Sequence, residues 1–433
     1  MSASRNESWL RPAFDAVVMD DDGRACTDIP ESACREEAGN FFRHVGALAL
    51  SKTADGLIDP KLVLSWLILQ VGAPPSLVGL LVPIREAGAL LPQLLTAGAL
   101  RRLPQRKWAW AAGAAVQGLA ALAIGTAAIF LSGQAAGLTI IAALAVLALA
   151  RSVCSVCYKD VLGKTADKSR RGTATGMAAS LASAVVLLFA LLLTLGLIER
   201  LSLVTAAVFL AALAWLTAAV VFVGLKEAPG ATEGGKAAIS AALENLSYLV
   251  SEPQLRRFIL VRSLLTATAL APPFMIAAAP PVSALPLGAM VMGAALAGML
   301  SSYVWGRLSD RSSRKVLVFA AASGGFALAM TYALAIAGWL HPLYALPLMI
   351  FAIMVAYQGV RLGRVTHLTD MATPEKRAGF TALSNTIVGL VLLAGGVFTI
   401  IAAIAGAIVV LAIMAGMTLI GGILALGLEE VQS

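Results

Sequence analysis

Long apolar runs, repeated along most of the chain and separated by short polar turns, limit most strongly how this sequence can fold. A helix needs roughly 20 mostly apolar residues to cross a hydrocarbon core about 30 Å thick. Runs of that kind occupy residues 45–70, 75–98, 108–131, 135–156, 174–197, 202–225, 258–280, 283–305, 316–338, 342–358, 379–402 and 404–428. We therefore predict an all-α membrane protein with twelve transmembrane helices in two six-helix bundles.

Four charged residues interrupt the first run, namely Lys52, Asp55, Asp59 and Lys61. An alternative span over residues 62–82 would merge the first two helices into one. We keep twelve helices because the two halves of the chain then match.

The composition excludes an ordinary soluble domain. Apolar residues make up 59% of the chain and charged residues 13%, whereas soluble domains are about a quarter charged. The net charge of +8 would suit nucleic acid, but the basic residues form short clusters between apolar runs. We expect a lipid bilayer around the chain and no nucleic-acid partner.

The basic residues orient the predicted bundle. The turns after the odd-numbered runs hold only Arg200. The turns after the even-numbered runs hold Arg101, Arg102, Arg106, Lys107, Lys159, Lys164, Lys168, Arg170, Arg171, Lys226, Lys236, Arg256, Arg257, Arg307, Arg311, Arg314, Lys315, Arg361, Arg364, Lys376 and Arg377. Basic turns stay in the cytosol, so we expect both termini there and a bacterial-type inner membrane.

The domain boundaries follow from the spans and from one long connection rich in proline and glycine. We predict an acidic cytosolic tail (1–42), an N-terminal six-helix bundle (43–225), a cytosolic central loop (226–257), a C-terminal six-helix bundle (258–428) and a short cytosolic tail (429–433). Residues 30–42 fit either a helix lying on the membrane face or a flexible tail.

Two turns share residue types and spacing. Gly98-Ala-Leu100 is followed by Arg106-Lys107, and Gly306-Arg-Leu308 is followed by Arg314-Lys315. Together with further matches about 210 residues apart, this pattern predicts parallel repeats related by an axis along the membrane normal.

The second of these turns resembles the signature of the major facilitator superfamily, Gly-x-Leu-x-Asp-Arg-x-Gly-Arg-Arg/Lys. Ser313 stands where the signature has its second Gly, and the first turn is a poorer copy with Arg102 in place of Asp. The resemblance covers residues 45–428 and implies a secondary transporter whose halves rock around a central site. The matching residues are Gly306, Leu308, Asp310, Arg311, Arg314 and Lys315.

We predict that these two turns, as two copies of one motif, gate the transporter. We expect Gly306 to let two helices approach closely and Asp310 to accept hydrogen bonds from a neighbouring helix N-terminus or Arg. The alternative is a set of basic turns that only fixes orientation. The predicted gating residues are Gly98, Arg102, Gly306, Asp310, Arg311, Arg314 and Lys315.

Charged residues inside the first two spans predict a site. Such residues cost about 2.5–3.5 kcal/mol each on insertion scales, so they are functional candidates. Lys52, Asp55 and Asp59 are spaced three and four apart and share one helix face. With Arg85 and Glu86 of the second span, and with Lys61, they form a neutral group. Either one carboxylate titrates and couples proton flow to transport, or the six side chains simply pair.

Two arginines in other spans are further candidates for the same site. Arg262 fits either a substrate anion contact or a side chain that snorkels to the cytosol. Arg151 resembles the family's proton-coupling arginine, but the Gln-Gly that normally follows is absent. The predicted substrate or proton-coupling residues are Lys52, Asp55, Asp59, Arg85, Glu86 and Arg262.

These observations predict a monomeric secondary active transporter for a small organic solute, with either direction of transport open. The alternative is a non-transporting membrane protein, a lipid scramblase or a sensor that uses the N-terminal tail. No nucleophile and base lie in a recognisable pattern, so we expect neither an enzyme nor a cofactor or metal. We expect free thiols at Cys26, Cys34 and Cys157, given a reducing cytosol.

Overall fold

The computed structural model describes residue 14 and residues 34–93, 100, 102–230, 246–279, 286–373 and 376–431, and its regular structure there is helical. The N-terminal helices are α1 Glu37–Leu57, α2 Val63–Gln70, α3 Val78–Leu90, α4 Lys107–Phe130, α5 Gly133–Thr165, α6 Lys168–Leu195 and α7 Arg200–Val223. The C-terminal helices are α8 Tyr248–Ser251, α9 Pro253–Leu264, α10 Ala267–Ala278, α11 Leu287–Arg311, α12 Ser313–Ile336, α13 Ala345–Met371, α14 Arg377–Ala394, α15 Val397–Ala405 and α16 Ala407–Ala425.

Ten stretches of helix are long and apolar enough to cross a membrane. They correspond to the third through twelfth predicted spans, counting α9 with α10 and α14 with α15. Large apolar side chains lie fully outward on them, as at Phe130 (79% exposed) and Ile404 (83% exposed), which is what a lipid-facing surface requires. The described residues form a multi-pass membrane protein.

The first two predicted spans do not meet that standard. α1 and α2 form a helix broken over residues 58–62, and α3 is 13 residues long. The prediction of twelve spans is therefore met for ten. The seventh span begins at Pro253, five residues before its predicted start, because Pro is well suited to the first turn of a helix.

The break between α1 and α2 is held in place by side chains. Pro60 has no backbone N–H to donate. The Asp59 carboxylate accepts hydrogen bonds from the Lys61 and Leu62 N–H groups at 2.9 and 3.1 Å. Ser65 Oγ donates to the Pro60 carbonyl at 2.7 Å. Backbone groups at the break are therefore satisfied by neighbouring residues.

The N-terminal and C-terminal helices meet most extensively at two pairs of helices, α3 with α14 and α6 with α11, and α3 also contacts α10 and α15. We call the end that carries the basic turns the basic side and the other end the opposite side. On the opposite side, a Cβ at Gly288 would lie 2.5 Å from the Thr194 backbone nitrogen, and a Cβ at Gly79 would lie 2.3 Å from Thr399 Oγ1. Glycine therefore allows the halves to touch there.

The ion pairs described on the basic side each lie within one half. In the N-terminal half, Lys164 Nζ lies 2.6 Å from Asp160 and 3.2 Å from Glu227. In the C-terminal half, Lys376 Nζ lies 2.7 Å from Glu252. The Glu252 carboxylate raises the pKa of Lys376 by a direct hydrogen bond and by its charge. These contacts tie each half together internally.

Glu227 caps the start of α4. Its carboxylate, which is fully buried, accepts hydrogen bonds from the Arg106 and Lys107 N–H groups at 3.1 and 2.8 Å. An acidic group at a helix N-terminus satisfies free N–H donors and complements the helix dipole. This contact fixes residues after α7 against the start of α4.

We expect Glu227→Ala to lower the free energy of unfolding by about 2 kcal/mol, at the upper end of the effect of losing a cap. The variant leaves the Arg106 and Lys107 N–H groups without this acceptor and removes one of the two carboxylates that contact Lys164. A thermal unfolding assay in detergent measures the change. Glu429→Ala is the control, since exposed Glu429 accepts one hydrogen bond from Gln254 and its loss should fall within about 0.5 kcal/mol. Equal melting temperatures for both variants would contradict the capping role.

Candidate functional site

Asp55 on α1 joins three helices of the N-terminal half. Its two carboxylate oxygens bind Arg85 Nη2 of α3 at 2.6 Å and Arg151 Nη2 of α5 at 2.7 Å. Arg151 Nη1 also donates to Ser51 Oγ at 3.0 Å, and Trp215 Nε1 approaches the same Oγ at 3.3 Å. The side chains of Asp55, Arg85 and Arg151 are between 14% and 25% exposed. Each charge is therefore compensated mainly by its partners and only in part by water.

Lys61 links the helix break to the C-terminal half. Its Nζ lies 3.6 Å from a Glu86 oxygen, 4.0 Å from an Asp59 oxygen and 4.8 Å from the centre of the Tyr357 ring on α13. The side chain is 6% exposed. A cation over an aromatic face is attracted by the ring. Lys61 is therefore a charged contact between the two halves.

Arg262 on α9 is a buried cation held by neutral groups. Its Nη1 donates to Ser384 Oγ at 2.7 Å and its Nη2 to Asn385 Oδ1 at 2.9 Å. The Nε atom has no acceptor within the described part of the chain. At 6% exposure, Arg262 does not snorkel out of the protein. Asn385 thereby ties α14 to α9.

Arg361 and Arg364 of α13 line a cleft between the halves together with Glu86, Arg262 and Tyr357. Both arginines lie within electrostatic range of Glu86. The sequence placed them in a cytosolic turn after a span ending at residue 358, and that placement is wrong because α13 continues to Met371. They lie inside the helix and contribute to the site.

The structure brings all six predicted site residues into one region. Lys52 lies within electrostatic range of Asp55, Arg151 and Arg361. The prediction of a neutral group is incomplete, since Arg151, Arg361 and Arg364 join it. We call the whole set the central cluster, which comprises Lys52, Asp55, Asp59, Lys61, Arg85, Glu86, Arg151, Arg262, Arg361 and Arg364.

The second copy of the predicted gating turn makes different contacts from those expected. A Cβ at Gly306 would meet nothing within 4 Å, so the expected close approach of two helices is wrong in this structure. Arg314 Nε lies 3.4 Å from Glu430, and Ser312 Oγ donates to the same carboxylate at 2.6 Å. The turn is thus held to the C-terminal end of its own half.

The remaining gating residues include three exposed side chains. Arg102, Arg311 and Lys315 are exposed. Gly98 and the side chain of Asp310 lie outside the described residues. The gating role stays a prediction.

Two cysteine predictions have different outcomes. Cys154 and Cys157 are free and buried. Cys34 is disulfide-bonded, so the expectation of a free thiol is wrong for it. Cys26 lies outside the described residues.

Solved transporter structures share this architecture. A mutant of the nucleoside transporter NupG superposes with a TM-score of 0.70 at 11% identity, covering 90% of this chain and 100% of that chain. A mutant of the peptide transporter POT gives 0.66 at 12% identity, covering 90% and 93%. The xylose transporter XylE from E. coli, in an inward-open conformation, gives 0.63 at 10% identity, covering 90% and 96%.

The likeness is one of structure. No family model and no curated protein matches the sequence. Identities this low show a shared fold, while substrate and mechanism belong to each protein's own site. The superposed architecture and the signature turn after α11 point to the same fold. The chain therefore has the fold of the major facilitator superfamily of transporters.

Proposed function

We propose that this protein is a secondary active transporter that moves a small organic solute across a bacterial-type inner membrane by alternating access, with both termini in the cytosol. The central cluster is the observation that carries the proposal. Ionisable residues inside a membrane protein are costly and mark substrate or ion pathways. A site between two bundles is where a rocking transporter binds its solute. The nucleoside, peptide and xylose transporters of similar fold support the same function.

The unequal contacts at the two ends support alternating access. On the opposite side, Gly288 and Thr194 touch across the halves. On the basic side, the described ion pairs stay within one half. Halves that touch on the opposite side, and whose described ion pairs on the basic side each lie within one half, suit a state that opens toward the basic side. Rocking would exchange the two ends around the central cluster.

Glu86 is the carboxylate best placed for proton coupling. Asp55 is bound by two arginines, and Asp59 caps the helix break. Glu86 has one ion pair, to Lys61 at 3.6 Å, and lines the cleft. It is therefore the carboxylate whose protonation would disturb the fewest contacts. Because Glu86 lines the cleft, a change in its charge would alter the electrostatic energy of a solute bound there.

We expect Glu86→Gln to abolish uptake driven by a pH gradient while leaving solute exchange within about threefold of the wild type. Exchange needs no net proton movement, so the two assays separate coupling from binding. Asp59→Asn is the matched control, because an amide oxygen can still cap the break; it should retain gradient-driven uptake. Loss of both activities in Glu86→Gln, with a normal melting temperature, would assign Glu86 to solute binding instead.

The function itself is tested with the purified full-length protein. A metabolite panel is screened for compounds that raise the melting temperature, since a ligand that binds only the folded state stabilises it. Each hit is then loaded into proteoliposomes and its counterflow measured. We expect at least one hit to be transported. Liposomes that scramble fluorescent lipid but carry no hit would instead support the scramblase alternative.

A further inference from the structure

The central cluster carries a strong excess of positive charge. It contains seven basic side chains and three carboxylates, so its formal net charge is +4. Of its basic side chains outside the ion pairs, Arg262 is buried, Lys52 and Arg364 are half-buried and Arg361 is exposed. Charges removed from water are costly unless they are paired. The excess must be met by water, by an anion, or by both.

The three carboxylates are already engaged within the N-terminal half. Asp55 binds Arg85 and Arg151, while Asp59 and Glu86 share Lys61. The excess therefore falls on the remaining basic groups. Within the described ranges these have no carboxylate in salt-bridge distance, and they are Lys52, Arg262, Arg361 and Arg364.

Three of those four groups come from the C-terminal half and share one cleft. Arg262, Arg361 and Arg364 line it, and Arg262 and Arg364 are close enough to repel each other. Guanidinium groups bind carboxylate and phosphate through paired N–H donors. The cleft therefore gathers three guanidinium groups, and the neutral Ser384 and Asn385 hold one of them, Arg262, in position.

Other solute charges fit this arrangement less well. A cationic solute would add to the four uncompensated positive charges. A neutral solute would displace water that solvates the guanidinium groups and replace it with nothing that offsets their charge. An anion removes the excess and can enter without its own counter-ion. Charge complementarity therefore selects the solute class.

We infer that the transported solute is an organic anion, with a carboxylate or phosphate group that binds Arg262, Arg361 and Arg364. This inference rests on the proposed function and deepens it, since the same cleft is the transport site. The N-terminal half, where acids and bases nearly balance, then contacts the uncharged part of the solute. Glu86 lines the cleft and pairs with Lys61, so these two residues connect the solute site to the N-terminal half.

The first test compares probes that share a skeleton and differ in charge. Thermal shifts of the full chain are measured with benzoate, benzyl alcohol and benzylamine, and with glucose 6-phosphate, glucose and glucosamine. We expect stabilisation by an anionic member and none by its neutral or cationic partners. Arg364→Gln should weaken that binding at least tenfold. Arg256→Gln, which removes an exposed arginine outside the cleft, should leave it unchanged. Preferred binding of a neutral or cationic member overturns the inference.

A second measurement needs no ligand and decides the matter if no probe stabilises the protein. Tyr357→Cys, in a background without other reactive cysteines, places a thiol on the cleft lining. Its reaction rates with anionic sulfonatoethyl and cationic trimethylammonioethyl methanethiosulfonates are each divided by the rate with a free thiol. We expect the normalised ratio to favour the anionic reagent at least tenfold, and Arg364→Gln to reduce it. Equal or cation-preferring rates overturn the inference.

The two proposals fail in different ways. Labelling that favours the cationic reagent removes the anion inference and leaves the transporter proposal standing. Proteoliposomes that carry none of the stabilising compounds remove the transporter proposal, whatever the labelling shows.

Discussion

Asp55→Asn is expected to lower the free energy of unfolding by about 3–5 kcal/mol and to abolish transport. The carboxylate is the shared partner of Arg85 and Arg151, and all three side chains are largely buried. Breaking a buried ion pair by removing one partner costs about 3–5 kcal/mol, because the other charge stays buried without compensation. Here two guanidinium groups are left at once. The melting temperature in detergent and counterflow in proteoliposomes measure the two effects.

A second substitution separates stability from function. In Asp55→Asn combined with Arg85→Gln, one uncompensated charge is removed, so part of the lost stability should return. Groups in direct contact are coupled in this way, and a double-mutant cycle measures the coupling. Transport should stay absent if Asp55 also positions Arg151 and α1 for solute binding. Glu429→Gln, at an exposed carboxylate, is the control. A wild-type melting temperature for Asp55→Asn would show that the bridge does not form in the protein.

The architecture was accessible from the sequence because it follows from a strong physical constraint. Backbone groups inside a bilayer must be satisfied within the chain, so long apolar runs become helices. The exception lies where apolar residues are interrupted. The first two spans carry Lys52, Asp55 and Asp59 together with Pro60, and there the structure has a broken helix and a shorter one. The charges that weakened the span prediction are the charges that build the site.

The site was accessible only in part. The stripe on α1 follows from spacing along one helix, whereas the bond from Asp55 to Arg151 joins residues far apart in the chain. Arg361 and Arg364 were assigned to a turn because basic residues near the end of an apolar run suit orientation. A signal was nevertheless present, since Tyr357, Arg361 and Arg364 are spaced four and three apart and share one helix face.

Gly306 shows that a sequence motif can predict a helix contact that the structure does not contain. A glycine in a known signature predicts a close helix contact, but the contact depends on what lies opposite. No atom lies within 4 Å of a Cβ placed there. Close approach occurs at the other end of the same helix, at Gly288, which no motif distinguishes. Sequence patterns indicate where packing is permitted, and the neighbouring helix determines where it happens.

Gly288→Ala is expected to shift the conformational equilibrium toward separation of the halves on the opposite side. The added Cβ would lie 2.5 Å from the Thr194 backbone nitrogen and 2.8 Å from the Leu193 carbonyl carbon. Backbone atoms cannot rotate away as a side-chain tip can, so α6 and α11 must move apart. Overpacking of this kind costs about 1–3 kcal/mol, which corresponds to roughly 5- to 150-fold in the ratio of two conformations.

Spin labels on both halves measure that shift. Leu197→Cys and Trp339→Cys place labels at exposed positions beyond α6 and α12 on the opposite side, and double electron–electron resonance gives their distance distribution. Gly288→Ala should populate longer distances. Gly176→Ala, on the same helix as Thr194 but with open space around its Cβ, should leave the distribution unchanged. Because the described ion pairs on the basic side do not join the halves, separation at Gly288 removes a main restraint on rocking. An unchanged distribution in Gly288→Ala would mean that this contact does not hold the opposite side closed.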